Sequence, residues 1–209
     1  LNRGQAVMTV TRSTEVTFSL NGQQTTVAAG TTILEAAQET GVEIPTLCWA
    51  SNLTPVNACR LCVVEMEGSR ALVPACSRAC EPNAVINTDS ERVALSRKMV
   101  LEFLDTTNDL TQSSELQTLI ELYGADASRY SDPVRSDDPV KVEDDLFVRA
   151  YDRCVLCYKC VEACGDDAQF TFAISMAGRG FETRVSTAFE TPLPESACVY
   201  CGNCVGVCP

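Results

Sequence analysis

"CVLCYKCVEAC" (154–164) and "CVYCGNCVGVC" (198–208) carry one pattern twice, C-x2-C-x2-C-x3-C, and the second copy runs directly into Pro209. Three thiols spaced by two residues can wrap one loop around an iron–sulfur cubane. The fourth, on the following helical turn, points away from that loop and in runs of this spacing ligates the other cluster. The repeat therefore predicts two interlocked [4Fe–4S] sites: Cys154, Cys157, Cys160 and Cys208 on one, Cys198, Cys201, Cys204 and Cys164 on the other. Zinc is the rival occupant, but a zinc site takes two C-x2-C pairs across a longer spacer and has no use for the third step.

The remaining cysteines of the 13 lie between 48 and 80. Cys48-x10-Cys59-x2-Cys62-x13-Cys76 suits a [2Fe–2S] centre, although it is not the x4, x2 spacing of plant ferredoxins. Disulfides fit poorly beside two cubane motifs. Cys80, in "CSRAC", is either a substitute for Cys76 as fourth ligand or a buried bystander thiol; an extra cysteine is more often the latter.

Upstream of Cys48 the order of elements is readable. Alternating Val16, Phe18 and Leu20, the turn signal Asn21-Gly22 and the run Thr25 to Ala28 predict a β-hairpin. Thr32 and Glu35 form a capping-box pattern ahead of a short helix ending near Gly41. A hairpin, a crossing helix and a cysteine-bearing loop predict a β-grasp domain over 15–95. From 96 to 145 the chain is strongly acidic; "SRKMVLEFLD" (96–105) and "SSELQTLIELYG" (113–124) have apolar residues at helical spacing, and "SDPVRSDDP" (131–139) is a breaker run. This reads as a helical connector. Residues 146–209 form the second cysteine-rich domain, so the fold class is α+β: β-grasp [2Fe–2S] domain, helical connector, bacterial-type 2[4Fe–4S] ferredoxin domain.

Composition narrows the function. The formal net charge is −12 with no basic stripe, which argues against nucleic acid, whose phosphates need clustered Lys and Arg. No apolar run is long enough to span a bilayer, and the first residues lack the apolar core of a secretory signal. A soluble, cytoplasmic chain is expected, in reducing conditions that keep thiols free as ligands. Met8 is a plausible start, with the first seven residues a leader or cloning remnant. The chain has no histidine, so Ser-His-Asp and Cys-His catalysis are excluded. No phosphate-binding glycine fingerprint follows a strand; "AGRGFET" (177–183) lacks the third glycine and reads as a tight turn. One-electron transfer remains. Arg60 and Lys159, inside the motifs, are candidate cations for tuning cluster potential, and Tyr158 and Tyr200 are candidate shields; a solvated or merely packed side chain would explain each equally well.

The stretches "PTLCWASNLTPVNACRLCVVEMEG" (45–68) and "YDRCVLCYKC…ACVYCGNCVGVCP" (151–209) resemble the N-terminal iron–sulfur region of NAD-dependent molybdenum or tungsten formate dehydrogenase catalytic subunits. They are also similar to the diaphorase small subunit of NAD-reducing hydrogenases, the large iron–sulfur subunit of respiratory complex I and the N-terminal part of iron-only hydrogenases. "GRGFET" and "ESACVYCGNCV" look most like the formate dehydrogenase branch. The resemblance covers roughly 15 to 209. It implies an electron relay between a molybdopterin catalytic domain or subunit and a flavin/iron–sulfur NAD-reducing subunit. Those families place a His-x3-Cys-x2-Cys-x5-Cys cluster before a helix beginning "ELQ"; here 103–124 keeps that helix and has no such ligand. Three clusters rather than four are expected. In bacterial ferredoxin folds a strand follows the last Cys-Pro, so the stop at Pro209 suggests either a longer polypeptide or a subunit whose partner covers the open edge.

Overall fold

The computed structural model describes residues 14–130 and 139–209. Most of the breaker run at 131–139 and the proposed start at Met8 lie outside the described residues. The hairpin forms as β1 (Glu15–Leu20) and β2 (Gln23–Ala28), paired antiparallel from Glu15↔Ala28 to Leu20↔Gln23. Asn21 and Gly22 take the two positive φ values, 50° and 82°, that a two-residue turn with matching twist requires. Thr32 then caps α1 (Ile33–Glu39): its side chain accepts from the Glu35 amide while the Glu35 carboxylate accepts from the Thr32 N–H at 2.8 Å. α1 ends at Thr40, and Gly41 follows with φ 74°.

Three more strands complete a mixed sheet. β3 (Val63–Met66) pairs antiparallel with β4 (Val73–Pro74) and with β5 (Val85–Asn87), and β5 runs parallel to β1, giving the order β2-β1-β5-β3-β4. The period-2 pattern of β1 turns Val16, Phe18 and Leu20 onto one face, where they meet Ile33, Leu34, Ala36 and Ala37 of α1. Cys62, Cys76 and Cys80 are built into the same core.

Ser90 caps α2 (Glu91–Thr107), which begins earlier and runs longer than the stretch 96–105 read from sequence. The second connector helix, α3 (Ser114–Tyr123), has the predicted limits: Ser113 caps it, and Gly124 closes it in the left-handed region. α2 and α3 pack together and on the cysteine loop of the sheet domain. Leu101, Leu110 and Leu116 share one buried cluster with Leu47 and Leu61, and Cys59, Leu104 and Val155 lie at its margin. The connector thus has an apolar core. α2 also buries Glu102, which receives Arg129 Nη1 at 2.7 Å.

The last part of the chain is built from short pieces. β6 (Lys141–Val142) and β7 (Val148–Arg149) pair antiparallel, α4 (Lys159–Cys164) and α5 (Asn203–Gly206) pack together, and β8 (Ser175–Ala177) with β9 (Arg184–Ser186) forms a hairpin between the cysteine motifs. The "AGRGFET" segment is the turn of that hairpin. At Gly178 (φ 71°) a Cβ would lie 2.2 Å from the Glu182 carbonyl oxygen, so only glycine closes it. Among the described residues no helix is long and apolar enough to cross a membrane.

Candidate iron–sulfur sites

The first cysteine group is assembled by three segments: the loop after α1 brings Cys48, the loop before β3 brings Cys59 and Cys62, and the end of β4 leads into Cys76. Their thiols form one continuous chain of contacts, Cys59 to Cys48 to Cys76 to Cys62. Sharing protons along that chain splits the four. The Cys48 thiol is held far below its ordinary value by Cys59 and then Cys76, and Cys62 is lowered to about 7 by Cys76. Cys59 and Cys76 are driven up, chiefly by Cys48. Cys80 stands apart: burial, and then the charges of Glu35 and Glu39, push it up to about 11. Asn57 Oδ1 accepts from Cys76 Sγ at 3.4 Å and from Ser77 Oγ at 2.6 Å.

The two C-terminal motifs present their thiols crosswise. Burial pushes up Cys154, Cys157 and, to about 12, Cys160, and the Cys208 thiol acts electrostatically on all three. Cys204 is pushed up by burial first, with Cys201, Cys164 and Cys198 as its charged neighbours. Cys208 thus lies within electrostatic reach of the first motif, and Cys164 within reach of Cys204 in the second. Cys160 also feels Cys204, so the two sets adjoin.

Backbone geometry repeats between the copies. Leu156 and Tyr200, each two residues after the first cysteine, have φ of 51° and 57°; Tyr158 and Gly202, two residues further, have 69° and 75°. Left-handed backbone costs a residue with a Cβ roughly 1–2 kcal/mol and persists where its surroundings impose it. Here it turns amides inward. Leu156 N–H reaches Cys154 sulfur, Lys159 N–H reaches Cys157 sulfur, and Tyr200 N–H lies 3.4 Å from Cys198 Sγ. Leu61 N–H does the same for Cys59, beside Arg60 at φ 61°. Successive inward amides form concavities for anions, including iron–sulfur cores, and N–H bonds to sulfur favour the thiolate. Thiol sets with such amide donors fit cluster ligation. Among the described residues no group of three or more His, Cys, Asp or Glu is arranged to hold a single metal ion.

Of the charged and aromatic candidates, Lys159 is placed to act: its charge lowers Cys157, though burial outweighs it. Arg60 is exposed and reaches the Leu72 carbonyl at 3.4 Å. Tyr200 stacks on Phe147 with ring centroids 5.6 Å apart. Tyr158 supplies the left-handed residue preceding α4. Two contributors escaped sequence reading. Asn57 gave no signal beyond its turn-forming type. Arg97 did: at positions 93, 97 and 101 of α2 it is the one charge in a buried stripe with Val93 and Leu101.

Residues 13–91 match the family described as the 2Fe-2S iron-sulfur cluster binding domain, and residues 143–209 match the 4Fe-4S dicluster domain. The chain is an iron–sulfur protein. Its domains are those of one [2Fe–2S] and two [4Fe–4S] clusters. It is 37% identical over 207 residues to the NADP-reducing hydrogenase subunit HndD of Solidesulfovibrio fructosivorans, covering 93% of this chain and 35% of that one. It is 30% identical over 206 residues to the mitochondrial NADH-ubiquinone oxidoreductase 78 kDa subunit of Candida albicans (95% and 28%), and 28% over 200 residues to "Putative formate dehydrogenase SH0748" of Staphylococcus haemolyticus (91% and 20%). A solved NAD+-reducing [NiFe]-hydrogenase chain superimposes with a TM-score of 0.77 at 29% identity, covering 88% of this chain and 80% of that one. The iron–sulfur protein spans between about a fifth and a third of the sequence relatives named here.

Proposed function

We propose that this iron–sulfur protein is the electron-relay part of a larger NAD(P)-linked oxidoreductase, working in the cytoplasm. Its parts are a [2Fe–2S] domain at 15–95, a connector at 96–145 without a cluster, and a dicluster domain at 146–209. Cys48, Cys59, Cys62 and Cys76 hold the [2Fe–2S] cluster; Cys154, Cys157, Cys160 and Cys208 hold one [4Fe–4S], and Cys164, Cys198, Cys201 and Cys204 the other. The clusters supply reversible one-electron oxidation and reduction. The protein's residues hold the thiolates, donate amides to sulfur and exclude water.

The observation that carries this reading is the joining of the two regions through one apolar core. Cys59 of the first thiol set and Val155, between Cys154 and Cys157, both border the buried cluster that includes Leu61 and Leu101. Polar contacts fix the same junction: Thr54 donates twice to Asp167, at 2.6 and 2.9 Å, and Arg153 Nε lies 3.2 Å from Asp109. Two sites joined through shared apolar packing suit electron transfer without moving parts.

The whole enzyme is proposed to be of formate dehydrogenase type, with electrons passing between a molybdopterin domain or subunit and a flavin/iron–sulfur NAD-reducing partner. "GRGFET" and "ESACVYCGNCV" support it. The diaphorase subunit of an NAD-reducing hydrogenase is the second reading, supported by the hydrogenase likenesses in sequence and structure. Metal analysis and mass spectrometry of the intact native assembly separate the two: molybdenum or tungsten supports the first, nickel the second. For the relay itself, about ten iron atoms per chain and a dithionite-bleached chromophore are expected from the three clusters. Zinc without visible absorbance would defeat it. Cys76→Ala should abolish the [2Fe–2S] EPR signal and Cys80→Ala should preserve it; the reverse would make Cys80 the fourth ligand.

A further inference from the structure

α2 buries two charged side chains, and they are treated differently. Glu102, fully buried, is met by the Arg129 guanidinium. Arg97, 2% exposed, forms no ion pair among the described residues. Its donors go instead to neutral groups. Nε reaches the Leu61 carbonyl and Nη2 the Val63 carbonyl, each at 3.0 Å, and Nη1 lies 2.9 Å from the Tyr123 hydroxyl, with the guanidinium 5.8 Å from that ring's centre. Carbonyl dipoles and an aromatic ring soften a buried cation, but they supply no compensating charge, and an uncompensated buried charge is costly.

The two carbonyls are those of the residues on either side of Cys62. Arg97 therefore clamps the cluster loop at one cysteine, and α2 delivers it there from beneath, on the stripe with Val93 and Leu101. We propose that Arg97 is the buried counter-cation of the [2Fe–2S] site and holds its reduction potential up, an assignment that rests on the cluster reading above. A four-thiolate [2Fe–2S] site is negative in both oxidation states and gains one further negative charge on reduction, so a fixed cation inside the protein favours the reduced form. Screening is weak there because solvent is absent. Arg97 is a positioning residue by its carbonyl bonds and a tuning residue by its charge.

The experiment is an EPR-monitored dithionite titration of the intact holoprotein for the native chain, Arg97→Gln, Arg97→Lys and Tyr123→Glu. The native chain must give the [2Fe–2S] signal; its absence would remove the cluster reading, whatever Arg97 does. With the signal present, Arg97→Gln is expected to lower the reduced-to-oxidised ratio at fixed solution potential about tenfold or more, which is about 59 mV for a one-electron couple. Arg97→Lys keeps the charge and should stay within about threefold of native. Tyr123→Glu leaves the carbonyl clamp in place and sets a carboxylate against the guanidinium; it should shift the ratio in the direction of Arg97→Gln, and it reads the charge even where that variant does not assemble. The two [4Fe–4S] signals serve as the internal reference. A native ratio in Arg97→Gln or Tyr123→Glu overturns the proposal, as does an Arg97→Lys shift as large as that of Arg97→Gln.

Discussion

The two cysteine-rich ends of this molecule are stabilised by different means. The β-grasp domain has a five-stranded sheet and a helix, and its core holds Val16, Phe18, Leu20, Ile33, Leu34, Val64 and Ile86, so that Cys62, Cys76 and Cys80 are a minority of its members. The dicluster domain has two- and three-residue strands, a six-residue and a four-residue helix, and a small apolar nucleus of Tyr151, Ile174, Val185 and Leu193, against which Cys154, Cys160, Cys164, Cys198 and Cys204 pack. Here the cysteines border most of what core there is. A scaffold that buries little apolar surface depends on its metal for stability, because ligation free energy then becomes folding free energy.

Removing iron should give the largest contrast. After anaerobic chelation, hydrogen exchange measured by mass spectrometry is expected to show protection lost throughout 146–209 and kept in β1, β2 and α1; equal loss in both would erase the distinction. Next in size is Cys164→Ala. Because the proposed assignment gives its thiol to the cluster of Cys198, Cys201 and Cys204, this change should cost the site at the opposite motif, and iron content should fall by about four per chain. EPR of the remaining cubane, with Cys154→Ala as its counterpart, shows which site survives.

A smaller, purely apolar test is Phe18→Ala. It is expected to destabilise the β-grasp domain by about 3–5 kcal/mol, the usual cost of deleting a buried phenyl ring, in denaturant melts of the holoprotein, while the two [4Fe–4S] EPR signals remain. The smallest is Thr32→Ala, about 1 kcal/mol by loss of the cap. It carries a pH signature. The Thr32 backbone N–H, and then its hydroxyl, hold the Glu35 carboxyl below its ordinary value. A carboxyl lowered on folding stabilises above its unfolded pKa, and that stability is lost as pH falls through the folded one. The variant removes the hydroxyl and keeps the backbone N–H, so it should partly flatten the acid limb of the stability profile, with no change in any cluster signal.

Local signals in this chain were legible because each rests on neighbouring residues. Asn21-Gly22 supplies the two left-handed positions of its turn, Thr32 and Glu35 satisfy each other's backbone, and Gly124 ends α3 where only a residue tolerant of that backbone fits. α2 starts before the stretch legible in sequence because Ser90 caps a first turn, Glu91 to Leu95, whose apolar residues are consecutive rather than at helical spacing, with Val93 buried and Leu95 exposed. β3, β4 and β5 were not individually legible: they are short, and β5 gains its place by pairing with β1 from far along the chain.

The kinds of site and their number are legible in the sequence alone, because ligand spacing of two residues constrains a loop whatever surrounds it, and because a chain without histidine cannot build a His-ligated cluster. Tertiary structure decided what crosses those distances. It brought Cys208 within electrostatic reach of the first motif and Cys164 within reach of Cys204, left Cys80 outside the chain of thiols, and set Cys59 and Val155 against one apolar cluster that includes Leu61 and Leu101. It also brought Arg97 under Cys62 from far along the chain. Spacing is a local constraint; the field around a site comes from whichever side chains packing delivers to it.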